Sequence, residues 1–315
     1  VYVSGGVNGD AVGFRYWNNP GAFGGHGFRG VAAVFVFCST FYSGIESVAL
    51  AATETRNPRK AVPSATRKVF WRILFVYVGS AFFFGITCPA NASGLINGAS
   101  EMLQSPMTVA IQQAGWENGK HLINAFIFVT CLSALNGSVY IGSRTLLFMA
   151  HDNKAPPLLR YTNRRGVPVW AVLFTNACGA LSMMNVSTGA SKAYNYIVNV
   201  SGVSTFLVWA SVCFMHLRFR TAMRVQHRSV DELPYCAFLY PWTAYFGLFA
   251  SVFLALVQGW TTLSPFSAGD FVDAYIMLPL FPVGFLAYKL VFRTRWVRAT
   301  EMDLDSGRRF DLDDD

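Results

Sequence analysis

Leu122-Ile-Asn-Ala-Phe-Ile-Phe-Val-Thr-Cys-Leu-Ser-Ala-Leu-Asn-Gly-Ser-Val-Tyr-Ile-Gly-Ser-Arg-Thr-Leu-Leu-Phe-Met149 contains one charged residue, Arg144, near its end. A helix rises about 1.5 Å per residue, so ~20 apolar residues cross the ~30 Å hydrocarbon core of a bilayer. Working outward from this stretch, six more segments qualify as spans: Val31–Thr53, Val69–Cys88, Val167–Met184, Tyr194–Met215, Tyr240–Leu263 and Phe271–Phe292. Tyr240–Leu263 lies inside the uncharged run Leu233–Gly269. The last segment has Asp273 at its start and Lys289 near its end. A lysine there reaches the interface on its long stem, so the segment still counts as a span.

Composition agrees with this reading. Of 315 residues, 53% are hydrophobic and only 13% are charged, and the mean hydropathy is +0.36. Soluble domains carry roughly 25% charged residues, so this chain lacks the charge to cover a globule with polar surface. The 28 Phe, 13 Tyr and 8 Trp exclude disorder. Cys38, Cys131, Cys178 and Cys213 sit in apolar runs, and no C-x-x-C spacing suggests redox or zinc chemistry. The expected fold class is all-α and transmembrane.

Basic residues set the orientation. All of the 25 Lys and Arg except Arg15, Arg29, Lys120 and Lys192 cluster on one side of the seven-span topology. By the positive-inside rule that side is cytoplasmic, which puts residue 1 outside and the C-terminus inside. The net charge of +8 follows from these flanks, and no nucleic-acid partner is expected. Nothing in Val1–Phe14 resembles a secretory signal, so the sequence predicts that further helices precede residue 1.

Glu46 is the one acid well inside a predicted span, within Ser39-Thr-Phe-Tyr-Ser-Gly-Ile-Glu46. Gly44 weakens the helix, and the neighbouring hydroxyls can satisfy freed backbone groups. The stretch therefore predicts a helix broken near Ser43–Ile45, with exposed amides and carbonyls able to hold a zwitterion. Glu46 would then lie in the first turn of the following half-helix, where the helix dipole favours negative charge. A straight helix with Glu46 in a structural hydrogen bond is the alternative. Glu54 through Lys60 and Pro63 read as a basic loop, with Asn57-Pro58 turning the chain. Ser133 and Asn136 are i,i+3 neighbours on one face, suited either to close helix packing or to lining a substrate path. Ser201, Ser204 and Thr205 read as packing residues. No G-x-S-x-G, H-E-x-x-H or Walker loop occurs, and the five His are scattered, so no enzyme, cofactor or metal is expected. Asn91-Ala-Ser93 and Asn185-Val-Ser187 are sequons in predicted external loops.

Tyr42-Ser-Gly-Ile-Glu-Ser-Val-Ala-Leu-Ala-Ala-Thr-Glu-Thr-Arg-Asn-Pro-Arg-Lys-Ala-Val-Pro-Ser-Ala65 resembles the sixth helix and following loop of fungal amino-acid permeases, members of the amino acid–polyamine–organocation superfamily. The family pattern there is S-G-T-E followed by E-x-x-N-P-R-K-x-x-P-x-A. Leu132–Asn136, Ser143-Arg144, Lys154-Ala-Pro156 and Arg165-Gly-Val-Pro168 resemble its eighth helix and loop. Asn199–Gly202, Arg218-Phe-Arg220, Leu239–Trp242 and Asp303–Arg309 also fit, so the likeness runs from about Gly13 to Phe310. Ile45 stands where the family has Thr, and Ala49 where it has Gly.

The resemblance implies a leucine-transporter-like inverted-repeat fold, represented here by the second repeat (helices six to ten) plus helices eleven and twelve. The first five helices, and their carboxylate-holding break, have no counterpart in the chain. Residues 1–30 would be an extracellular loop remnant, 31–292 the transmembrane permease domain and 293–315 a cytoplasmic tail. The implied activity is proton-coupled amino-acid transport in the fungal plasma membrane, by a chain that is truncated and inactive alone. A non-transporting amino-acid sensor is the alternative, and a seven-span receptor explains only the topology. The substrate site implied is Phe41, Tyr42, Ser43, Gly44, Ile45 and Glu46 with Ser133 and Asn136 beside it, and Glu46 is the proton-coupling candidate. The implied partners are an amino-acid substrate, the lipid bilayer and the first five helices of the same protein.

Overall fold

The computed structural model describes residues 13–21, 30–31, 34–48, 55, 57–91, 105–113, 115–116, 118–186, 188–233, 235–236, 239–263 and 266–306. Most of the proposed loop remnant, the end of the first predicted span, Glu54, Arg56, parts of both sequons and the tail beyond Ser306 lie outside them. Among the described residues the elements are helical: α1 Phe35–Tyr42, α2 Pro58–Thr87, α3 Pro106–Gln113, α4 Gly119–His151, α5 Val169–Gly179, α6 Thr188–Val225, α7 Trp242–Val257, α8 Ala268–Tyr275 and α9 Met277–Phe292. Stretches of α2, α4 and α6 are long and apolar enough to cross a membrane, and the pair α8–α9, bent by 44°, adds a fourth if it is one span. Val169–Met184 and α7 are shorter apolar helices.

Two helices extend past their apolar runs. Asn57-Pro58 was expected to turn the chain, yet Pro58 opens α2, and Ala61 N–H donates to Asn57 O at 3.0 Å. A proline at the first helical position costs no hydrogen bond, because the amide there has no intrahelical partner. Likewise α6 continues to Val225 and carries Arg218, Arg220 and Arg224, beyond the predicted span Tyr194–Met215, where the run of charge pointed to a loop. Arginine is a good helix former, and positive charge is favoured at a helix C-terminus. Membrane hydropathy marks only the segment that must be apolar, so it underestimates helices that run on into water.

The chain forms two compact units, one from Val1–Gly30 with Arg67–Leu181 and the other from Val31–Thr66 with Ser182–Asp315. In the first unit α4 packs against α3 and α5. A Cβ placed on Gly142 would lie 3.0 Å from Thr175 Cγ2, so the α4–α5 crossing needs a small residue there. Ala150, Leu159 and Ala171 form a small buried core at the end of α4. Asn153, at φ 59°, stops the helix in the left-handed conformation that Asn tolerates. Arg160 Nε donates to the last-turn carbonyl of Ala150 at 2.6 Å, and its Nη2 donates to Asn153 Oδ1.

In the second unit α6 is the central element and packs against α1, α7, α8 and α9. Gly247 allows α7 to approach closely, since a Cβ there would sit 2.9 Å from Cys213 Sγ. The hydroxyls of Ser204, Thr205 and Ser211 donate back to carbonyls one turn earlier on α6. Those bonds satisfy the hydroxyls within the helix; of the three residues expected to pack, Thr205 is buried, Ser204 half-buried and Ser201 exposed.

Candidate substrate site at the helix break

The helix α1 ends at Tyr42, and the chain resumes as a 3₁₀ turn, Ile45–Ser47. Gly44 between them has φ 98° and ψ −4°. This left-handed conformation costs an L-residue roughly 1 kcal/mol or more and costs glycine nothing. The interruption expected near Ser43–Ile45 is therefore present in the backbone.

The break folds its polar groups onto each other. Gly44 N–H donates to Glu46 Oε1 at 3.3 Å, while Gly44 O accepts both the amide of Ser47, at 3.0 Å, and the Ser47 hydroxyl. Glu46 Oε2 accepts a hydrogen bond of 3.3 Å from the indole Nε1–H of Trp209 on α6. One turn before the break, Ser39, almost completely buried, donates to Gly202 O at 3.0 Å. Two contacts from α6, at Gly202 and Trp209, thus hold both sides of the break. Each Glu46 oxygen accepts one N–H, and a carboxylate with about four acceptor positions keeps capacity for a further donor such as an ammonium group. Glu46 and Ser43 are exposed in this unit, and Ile45 is 38% exposed, so the groups at the break are open to a ligand. Phe41 is in the last turn of α1, and Tyr42 is half-buried.

Ser133 and Asn136 belong to the other unit, where both are exposed on the side of α4. Farther along that helix the buried Ser143 donates to Tyr140 O at 3.0 Å.

Trp209 was not singled out in the sequence. Its one signal is chemical: an indole N–H in an apolar span needs an acceptor, and Glu46 is the acid available at that depth. A second pair was also missed. Asn199 Nδ2 on α6 donates to Asp273 Oδ2 on α8 at 2.7 Å. Asp273, which weakened the last predicted span, thereby gains a polar partner from α6. Among the described residues no group of three or more His, Cys, Asp or Glu is placed to hold a metal ion.

Residues 1–300 match the family model described as amino acid permease. The chain belongs to this family. It is 54% identical over its whole length to the General amino acid permease AGP3 of Saccharomyces cerevisiae, of which it covers 57%. It is 48% identical to an uncharacterised amino-acid permease of Schizosaccharomyces pombe, covering 90% of this chain and 53% of that protein. With the Basic amino-acid permease of S. cerevisiae it shares 38% identity, over 98% of this chain and 56% of the relative. The chain spans about half the length of the curated relatives it matches. No solved structure matches it. Permease membership and the apolar helices make this a multi-pass membrane protein, and these relatives are named as transporters rather than enzymes.

Proposed function

We propose that this permease chain forms the second inverted repeat and the last two helices of a proton-coupled amino-acid transporter of the fungal plasma membrane. Its transmembrane part is 31–292, in seven spans, with the 293–315 tail in the cytoplasm. Substrate sits against the break at Phe41–Glu46, and Glu46 exchanges the coupling proton. The observation that supports this reading most is the left-handed Gly44 followed by a carboxylate held by Trp209. A broken helix offers fixed dipoles to a zwitterion at a depth where an unbroken helix offers none. Ile45 replaces a hydroxyl of the family pattern with apolar surface, so substrates that need a hydrogen bond at that position are disfavoured.

The test is uptake of labelled amino acids by a full-length permease containing these residues, in a yeast strain lacking its own permeases. Saturable uptake that rises as external pH is lowered is expected. Saturable uptake indifferent to the proton gradient would remove the coupling, and no uptake of any amino acid would remove the transport reading.

Trp209→Phe keeps most of the ring and deletes the N–H that reaches Glu46. Losing a modest hydrogen bond of about 1 kcal/mol should raise the apparent KM roughly fivefold. The maximal rate per molecule at the cell surface should change less. An unchanged KM with normal surface level would detach Trp209 from the site.

A further inference from the structure

The chain leaves α9 through Arg293, at φ 48°, and the segment 294–306 returns along the end of α6. It is fastened at three levels. The Trp296 ring lies against Arg218, whose guanidinium carbon is 4.4 Å from its centroid, with Lys289 Nζ at 5.3 Å and the Phe214 ring at 6.5 Å. Arg218 also donates to Val297 O. One level on, Gln226 Nε2 donates to Ala299 O at 2.9 Å and Met302 O at 2.8 Å. Farthest out, the Arg228 fork spans Asp305, at 2.8 and 3.4 Å, and Glu232, at 2.9 Å.

The attachment follows from helical spacing. Phe214, Arg218 and Ala222 recur every four residues along one side of α6, and Gln226 continues the series just past its end. Ala222 in that row is fully buried. The tail is shaped to match. Asp303 Oδ1 accepts the amides of Asp305 and Ser306 at 3.0 and 2.9 Å, making a turn that aims Asp305 at Arg228. Hydrogen bonds from Ser306 and from the Asp305 amide hold the Asp303 carboxyl below the usual aspartate range.

Each exposed contact alone contributes little. What gives the set a role is the helix that carries it, because α6 also bears Gly202 and Trp209, the two groups holding the break. From Trp209 to Gln226 is about 25 Å along one nearly continuous helix. We propose that the segment 294–306 is a regulatory latch: docked, it fixes α6 in the position where Trp209 holds Glu46, and undocked, it lets α6 move and loosens the break. This rests on the break being the substrate site.

The test uses the full-length permease in detergent, with two readouts that need no transport. One is the rate of chymotrypsin cutting within the tail, at Trp296 and Leu304. The other is maleimide labelling of Ser43→Cys, with the protein lacking that change as the blank. Arg228→Glu and Asp305→Arg should each raise both rates about fivefold, as expected when a bidentate pair that closes a network is lost. The double exchange should bring both back towards wild type. Asp305→Asn, at the exposed end of the pair, gives the same comparison should Arg228→Glu fail to fold. Tail cutting unchanged in the single variants overturns the latch. Faster cutting with unchanged Ser43→Cys labelling overturns its link to the break. Both effects in the variants, together with no uptake by the wild-type protein, leave the latch standing and remove the transport reading.

Discussion

A polypeptide of these 315 residues alone, expressed in a permease-deficient yeast, should show no saturable amino-acid uptake above the empty-vector level. In the proposed inverted-repeat arrangement the site is shared between two repeats, with substrate held on both sides. This chain covers 57%, 53% and 56% of three of its relatives. At the break it supplies Glu46, the Gly44 backbone and Trp209, all from one compact unit. Those groups can face the substrate's ammonium from one side. Polar groups at the break would also meet lipid, where an unsatisfied group costs several kcal/mol. Saturable uptake by the 315-residue polypeptide would show that one repeat is enough. It would also overturn the proposal that the site is shared.

In a full-length permease, Glu46→Gln should reduce proton-driven uptake at least tenfold while the protein remains folded and at the cell surface. The substitution keeps the size of the side chain and a carbonyl acceptor for Trp209 Nε1–H. In the proposed span it also removes a carboxylate, a group that costs ~3 kcal/mol or more to carry charged at mid-bilayer. Two roles are then separable. If Glu46 carries the proton, exchange of labelled for unlabelled substrate persists in the variant. If it holds the substrate ammonium, exchange is lost together with net uptake. A purely structural Glu46 would lower surface protein and leave transport per molecule normal. Normal net uptake with an unchanged dependence on external pH would remove Glu46 from the mechanism altogether.

The break was legible because its signal is local: one glycine, hydroxyls on each side and an acid in an otherwise apolar run. The apolar cores of α2, α4 and α6 were legible for the same reason, since ~20 consecutive residues carry the information. What holds the break was not legible. Trp209 and Glu46 are 163 residues apart, as are Ser39 and Gly202, and periodicity gives a residue its side of the helix without naming its neighbour. Helix ends were misjudged where hydropathy was the guide. Arg218, Arg220 and Arg224 looked like a loop because they are charged, although the backbone of α6 passes through them unbroken. The i,i+3 pair Ser133 and Asn136 suggested packing or lining, while close approaches on α4 occur at Gly119 against Ile111 and at Gly142 against Thr175.

The length of α6 has a mechanical consequence. Its 38 residues measure about 57 Å, against a hydrocarbon core of ~30 Å. Beyond the predicted span Tyr194–Met215 its last ten residues project about 15 Å, and such an overhang converts angle into travel: pivoting by about 15° swings the free end ~4 Å. That travel exceeds the reach of a hydrogen bond. The overhang is therefore a lever arm, on which a rotation too small to disturb packing near the pivot becomes an all-or-none displacement at the tip.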